Sequence, residues 1–123
     1  MYRLHIIFPD EKYSLTLTVL SMDILNILKQ YFKSSIRDKK FILFSQRLDI
    51  KSQNFYGFSE PYYVNNIIKL IPQEHFVFTT ITIANLTLKL SFGSLVDLNI
   101  LKICIETSTE LFINGKLIQD FSL

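Results

Sequence analysis

The sequence predicts an α+β fold built from two small units in tandem, and three observations carry this. The spacing of apolar residues changes from period two to helical period and back, twice along the 123 residues. A five-residue segment, Leu25-Asn26-Ile27-Leu28-Lys29, recurs as Leu98-Asn99-Ile100-Leu101-Lys102 at an offset of 73, inside the helical stretch of each cycle. Hydrophobic residues make up 49% of the chain and charged residues 20%, enough to build a core and too apolar for disorder.

The elements follow in order. Leu4, Ile6 and Phe8 alternate with Arg3, His5 and Ile7, which predicts a strand with His5 on its outer face. Pro9-Asp10-Glu11-Lys12 is a turn, and Leu15, Leu17 and Val19 alternate with Ser14, Thr16 and Thr18 in the return strand. Ile24, Ile27, Leu28, Tyr31 and Phe32 then fall on one helical face, with Ser21 as N-cap and Asp23 in the first turn. Phe41-Ile42-Leu43-Phe44 reads as a buried strand and Arg47-Leu48-Asp49 as a short return strand. Residues 51–66 read as an irregular connection, and Ile67 to Ile71 as a final strand stopped by Pro72.

The pattern then restarts. Phe76 to Ile83 is a Thr-rich strand, Ala84-Asn85 a tight turn, and Leu86, Leu88 and Leu90 the inward positions of the return. Ser94-Leu95-Val96-Asp97 resembles a capping box and opens a helix with Leu98, Leu101, Cys104 and Ile105 on one face. Leu111-Phe112-Ile113, the hairpin turn Asn114-Gly115 and Lys116-Leu117-Ile118 complete the chain. Phe41 to Leu48 aligns with Leu111 to Ile118 at an offset of 70. The expected organisation is β-β-α-β-β-β over residues 1–72, then β-β-α-β-β over residues 76–123.

Charge and composition exclude several functional classes. The net charge of +2 is too low for a bulk nucleic-acid neutraliser. It is unevenly spread: residues 1–72 carry ten Lys/Arg against six Asp/Glu, and residues 73–123 three against five. A single cysteine, Cys104, rules out an intramolecular disulfide. No secretory signal or long apolar span is expected, so Asn85-Leu86-Thr87 carries no weight as a glycosylation acceptor, and a reducing cytoplasmic or nuclear setting is expected. His5, His75 and Cys104 do not pair at metal-ligand spacing. Asp10-Glu11 is a turn pair, and neither a phosphate-cradling loop nor a nucleophile motif occurs. The expectation is a protein that binds, with no cofactor, no metal and no enzymatic activity.

The order of elements, in about 70 residues, resembles the ubiquitin-like β-grasp fold. The local likeness is best in Glu110-Leu111-Phe112-Ile113-Asn114-Gly115-Lys116-Leu117-Ile118-Gln119-Asp120, with a weaker version in Phe41 to Asp49. Two departures matter. The chain ends Asp120-Phe121-Ser122-Leu123 without a Gly-Gly tail, so conjugation is not expected. The ubiquitin-like fold also places its last strand between the first and third, and the second unit stops before such a strand. Its sheet is expected to be incomplete, a defect on the order of 5 kcal/mol from a few unburied apolar side chains and stranded backbone groups. A partner's strand, a strand from a second copy, or a sheet shared with the first half are the ways to close it.

The expected function is a non-catalytic ubiquitin-like interaction protein. The incomplete sheet and the uneven charge favour an accessory factor docked on a large protein or ribonucleoprotein assembly such as the ribosome or proteasome; the alternative is a free adaptor or decoy for ubiquitin-pathway proteins. By position, Leu43, Ile71 and Phe112 resemble the apolar sheet patch of ubiquitin-like domains, with burial in the core or between the units as the competing reading. The cluster Lys29, Lys33, Arg37, Lys39, Lys40, Arg47 and Lys51 is either a solvated face or a contact to ribosomal RNA, with Tyr31, Phe55 and Tyr56 near enough in sequence to stack on bases.

Overall fold

The computed structural model describes residues 1–67 and 76–119. The first hairpin pairs β1 (Tyr2–Phe8) with β2 (Tyr13–Val19), in the register Leu4 opposite Leu17 and Ile6 opposite Leu15. Leu4, Ile6, Phe8, Leu15, Leu17 and Val19 all face one side and are fully buried. Helix α1 (Met22–Ser35) starts where Ser21 accepts a bond from the Ile24 amide at 3.1 Å, and it turns Leu25, Leu28 and Phe32 into the core.

The expected strand pair after α1 is a single ten-residue strand, β3 (Lys40–Asp49), antiparallel to β1. The stretch expected to be irregular carries β4 (Asn54–Gly57) and β5 (Tyr62–Asn65), which share the other edge of β3. Of the expected final strand, Ile67 lies outside any strand, and Ile68 to Ile71 lie outside the described residues.

In the second half, β6 (Val77–Ile83) and β7 (Leu86–Phe92) form a separate two-stranded sheet. The inward-facing Ile81, Ile83, Leu86, Leu88, Leu90 and Phe92 are buried, and β7 packs on both helices. Helix α2 (Leu95–Glu106) is capped by Ser94, whose hydroxyl accepts from the Asp97 amide at 3.3 Å. It packs on α1, and Tyr31 of α1 donates a hydrogen bond to Asp97 Oδ1 at 2.9 Å.

The next strand, β8 (Glu110–Ile113), does not return to its own hairpin. It pairs with β2, placing Leu111 opposite Leu17, and carries β9 (Lys116–Leu117) as the outer strand. The docking is fixed at both ends. The Thr109 amide donates to the Thr18 carbonyl at 2.9 Å, and Asn114 and Ser14 exchange a backbone and a side-chain bond at 2.9 and 2.8 Å. Asn114 and Gly115 both take positive φ, as a tight two-residue hairpin turn requires.

The main sheet therefore runs β4-β3-β1-β2-β8-β9, with β5 beside β4 on β3. β8 and β9 join the sheet of the first half, so β8 has neighbours on both sides, while β6 and β7 remain a sheet of their own. Because β1 bonds β3 directly, no strand lies between the first and third, and the strand order departs from that of the ubiquitin-like fold. One continuous apolar core joins the inner sheet face, both helices and the β6–β7 hairpin. What holds after the sequence reading is a mixed α+β fold with antiparallel sheets.

Candidate functional site

The face of the main sheet opposite the core carries the side chains that alternate with the buried ones. On β1 these are Arg3, His5 and Ile7; on β2, Ser14, Thr16 and Thr18; on β3, Ile42, Phe44, Gln46 and Leu48. The registers add Phe55 beside Leu48, Tyr63 beside Ile42, Phe112 beside Thr16 and Leu117 beside Phe112. The inner-face side chains of β1, β2, β3 and β8 join the core with both helices, and among the described residues no helix packs on this outer face.

The centre of the face is ordered by stacking and by bonds between neighbouring strands. The Arg3 guanidinium lies 3.9 Å from the Phe55 ring centre and 5.0 Å from that of Phe112. It also donates to Thr18 at 3.2 Å and pairs with Glu110 at 3.5 Å. His5 sits beside Phe44 with ring centres 5.7 Å apart, its Nε2 at 2.6 Å from Gln46 Oε1 and its Nδ1 at 2.9 Å from the Thr16 hydroxyl. These contacts suit the neutral ring, with Nε2–H donating and Nδ1 accepting. Burial is the main reason the His5 pKa falls below its usual 6.5; the Gln46 bond pulls it up, and nearby Arg3 adds to the lowering. Gly57 belongs here for a steric reason: a Cβ at this position would stand 3.0 Å from the Phe44 ring.

Charge is sparse on this face. The positive charge of Arg3 is matched by Glu110, and Lys40 stands at the border. Apolar exposure is substantial by contrast: Ile7, Leu117 and Tyr63 are 37%, 48% and 75% exposed. A neutral, aromatic sheet face with exposed apolar side chains is suited to a protein surface, where rigid rings supply contact area at low entropic cost.

The residues singled out from sequence divide. Phe112 lies on this outer face, half-buried against Arg3. Leu43 does not: it is 2% exposed and points into the core, so the expectation that it forms part of an exposed patch is corrected. In Phe41-Ile42-Leu43-Phe44 the alternation runs so that Ile42 and Phe44 face outward instead. Ile71 lies outside the described residues.

The basic cluster is not brought together as one site. Lys33 stacks on Tyr62 at 3.6 Å and Arg37 on Phe78 at 4.5 Å, both at the C-terminal end of α1, with Lys29 half-buried on the same helix. Lys39 pairs with Glu11, and Lys40 is exposed at the start of β3. Arg47 lies near the other end of β3, roughly 23 Å from Lys40 at the usual rise per strand residue, and Lys51 follows in the turn after the strand.

Chemistry elsewhere is thin. The Cys104 thiol is buried on α2, and burial pushes its pKa up, away from thiolate chemistry. Among the described residues, no group of three His, Cys, Asp or Glu is placed to hold a metal ion. No described helix is long and apolar enough to cross a membrane. A cleft of about 470 Å³ between the end of α2 and the β8–β9 hairpin gathers Glu106, Thr109 and Glu110 with Leu111, Leu117 and Ile118, and no imidazole or thiol lines it. No protein family, curated protein or solved structure matches this chain.

Proposed function

We propose that this chain is a non-catalytic interaction protein that docks on a larger protein or ribonucleoprotein assembly through the open face of its main sheet. The observation that carries the proposal is that face itself: uncovered among the described residues, close to neutral, and lined by Phe44, Phe55, Phe112, Ile7, Tyr63 and Leu117. Apolar exposure on this scale across neighbouring strands marks an interaction surface. The ubiquitin-like likeness enters as the order of elements, hairpin, helix, strand, met twice along the chain; the observed strand order does not add to it. Ribosomes and proteasomes are the assemblies to test first. A free adaptor for ubiquitin-pathway proteins is the second reading, favoured by the place of Phe112 on the outer face.

The test is sedimentation of the native chain from its own cell lysate at low and high salt, with identification of co-migrating proteins. Tyr63→Glu and Leu117→Glu change exposed positions of the face; Lys33→Glu and Lys40→Glu serve as comparisons. The reading expects migration with an identified assembly that survives high salt, since a neutral face gains little from screened charges, and that is lost in the two face variants. Loss only in the lysine variants and at high salt would move the contact to the basic end of α1, as for ribosomal RNA. A chain that migrates alone would overturn the proposal.

A further inference from the structure

The chain protects the edges of its main sheet but not that of its small one. One main edge ends in β9, two residues long and bearing Lys116. The other is divided between the four-residue strands β4 and β5, with Pro61 between them. Short strands, lysine and proline are the usual means by which proteins stop edges from recruiting other strands. In the β6–β7 sheet, the free edge of β7 is partly used: Ile36 bridges to Leu90, and the Arg37 amide donates to the Lys89 carbonyl at 2.8 Å. Strand β6 has none of these devices. It runs seven residues, Val77-Phe78-Thr79-Thr80-Ile81-Thr82-Ile83, without charge, proline or glycine, and among the described residues it pairs only with β7.

We propose that β6 pairs with β6 of a second copy of this chain. The sequence of the strand is suited to its own antiparallel image. In the hairpin, Ile83 opposes Leu86 across a two-residue turn, and Ile81 opposes Leu88. Ladder bonds in such a hairpin fall on alternate pairs, so Val77, Thr79, Ile81 and Ile83 bond β7, while Phe78, Thr80 and Thr82 aim their amides and carbonyls at the open edge. A two-fold axis beside Thr80 sets Thr80 against Thr80, Phe78 against Thr82, Thr79 against Ile81 and Val77 against Ile83. All seven residues overlap. The three outward-aimed residues of each copy meet as bonded pairs, giving six backbone hydrogen bonds. Every pair stays on its own face: the core-side positions meet core-side positions, and β-branched residues oppose β-branched or aromatic ones, the favourable cross-strand combinations. No like charges meet. The symmetry closes the pair, so the contact yields a dimer and not a fibre.

An edge pair of this length is small beside the roughly 800 Å² per partner of a standard interface, so the dimer is weak and concentration-dependent. Sedimentation equilibrium of the purified full chain, from about 10 µM to 1 mM, should show a shift from the 14.4 kDa monomer toward twice that mass. Thr80→Pro removes an outward amide, a substitution that edge strands tolerate. It deletes two of the six bonds and should raise the dimer dissociation constant about ten- to a hundredfold. Thr80→Lys, at an exposed position, sets two ammonium groups opposite each other and should act alike, with an unchanged circular dichroism spectrum confirming the monomer fold. A chain that remains monomeric to 1 mM, a dimer indifferent to both variants, or a β6 edge occupied only by another protein's strand would each overturn the proposal.

Discussion

Replacing Leu111 by alanine tests whether the two halves of the chain are one folding unit. Leu111 is the fully buried residue of β8, facing Leu17 of β2 across the junction between the second half and the first. Removing three carbon atoms from a closed core site costs about 2–5 kcal/mol, by lost burial and by the cavity left behind. Against a total of about 5–15 kcal/mol for a domain, that is a large fraction. For a chain of 123 residues, a loss of that size should lower the melting temperature by roughly 6–20 °C. The chain supplies its own reporter. It has no tryptophan, and all six tyrosines, Tyr2, Tyr13, Tyr31, Tyr56, Tyr62 and Tyr63, lie in the first half. Tyrosine fluorescence therefore reports the first half while the substitution sits in the second. The shared sheet predicts that the tyrosine transition moves by the full amount and coincides with the far-UV circular dichroism transition. If the tyrosine transition stays at its wild-type temperature while the circular dichroism splits in two, the halves fold apart and β8 does not belong to the β2 edge.

Two further outcomes follow from particular residues. The folded state holds the His5 pKa below its unfolded value of 6.5, so the unfolded chain binds the proton more readily. The stability contributed by neutral His5 is present above pH 6.5 and is lost as the pH falls from there through the folded-state value; His5→Gln should flatten that part of a denaturant-midpoint profile, and an unchanged slope would contradict the assignment. Ala84 occupies the β6–β7 turn with a φ of 52°, a left-handed conformation that costs a residue with a Cβ about 1–2 kcal/mol. Ala84→Gly should therefore stabilise the chain by about 0.5–1 kcal/mol in urea unfolding, after the greater freedom of glycine in the unfolded state is subtracted; a destabilised variant would refute the strained turn.

Much of this fold is legible in the sequence because its signals are local. Ser21 and Ser94 cap the helices expected of them, and the alternations in β1, β2 and β7 mark the correct inward faces. Three things are not legible, each for a physical reason. Strand β3 reads as two pieces because polar Ser45 interrupts it, yet Ser45 is fully buried in mid-strand, its hydroxyl without a partner among the described residues. Strands β4 and β5 bury little beyond Val64, so they show no alternation against the background of a polar loop. The pairing of β8 with β2 joins residues about 95 apart, and no local pattern specifies a partner at that distance.

The proposed docking face is half legible in the same way. The outward position of His5 follows from the period of β1, and that of Phe112 from its place before the Asn114-Gly115 turn. The apolar run Phe41 to Phe44 has no alternation, so its facing cannot be read. The structure turns Leu43 inward and gives Phe44 to the surface. Tyr63 and Leu117 sit on short strands whose registers assign them to the face, a placement that only the assembled sheet reveals.

The most direct test of the docking account is hydroxyl-radical footprinting of the chain, alone and in the lysate fraction where it co-sediments with an identified assembly. The account predicts that Ile7, Phe44, Tyr63, Phe112 and Leu117 lose reactivity together on binding, while Tyr62 and Phe78, beside the basic end of α1, keep theirs. Protection of Tyr62 and Phe78 with an unchanged sheet face would contradict it and place the partner on the opposite side of the chain's chemistry, at Lys33 and Arg37.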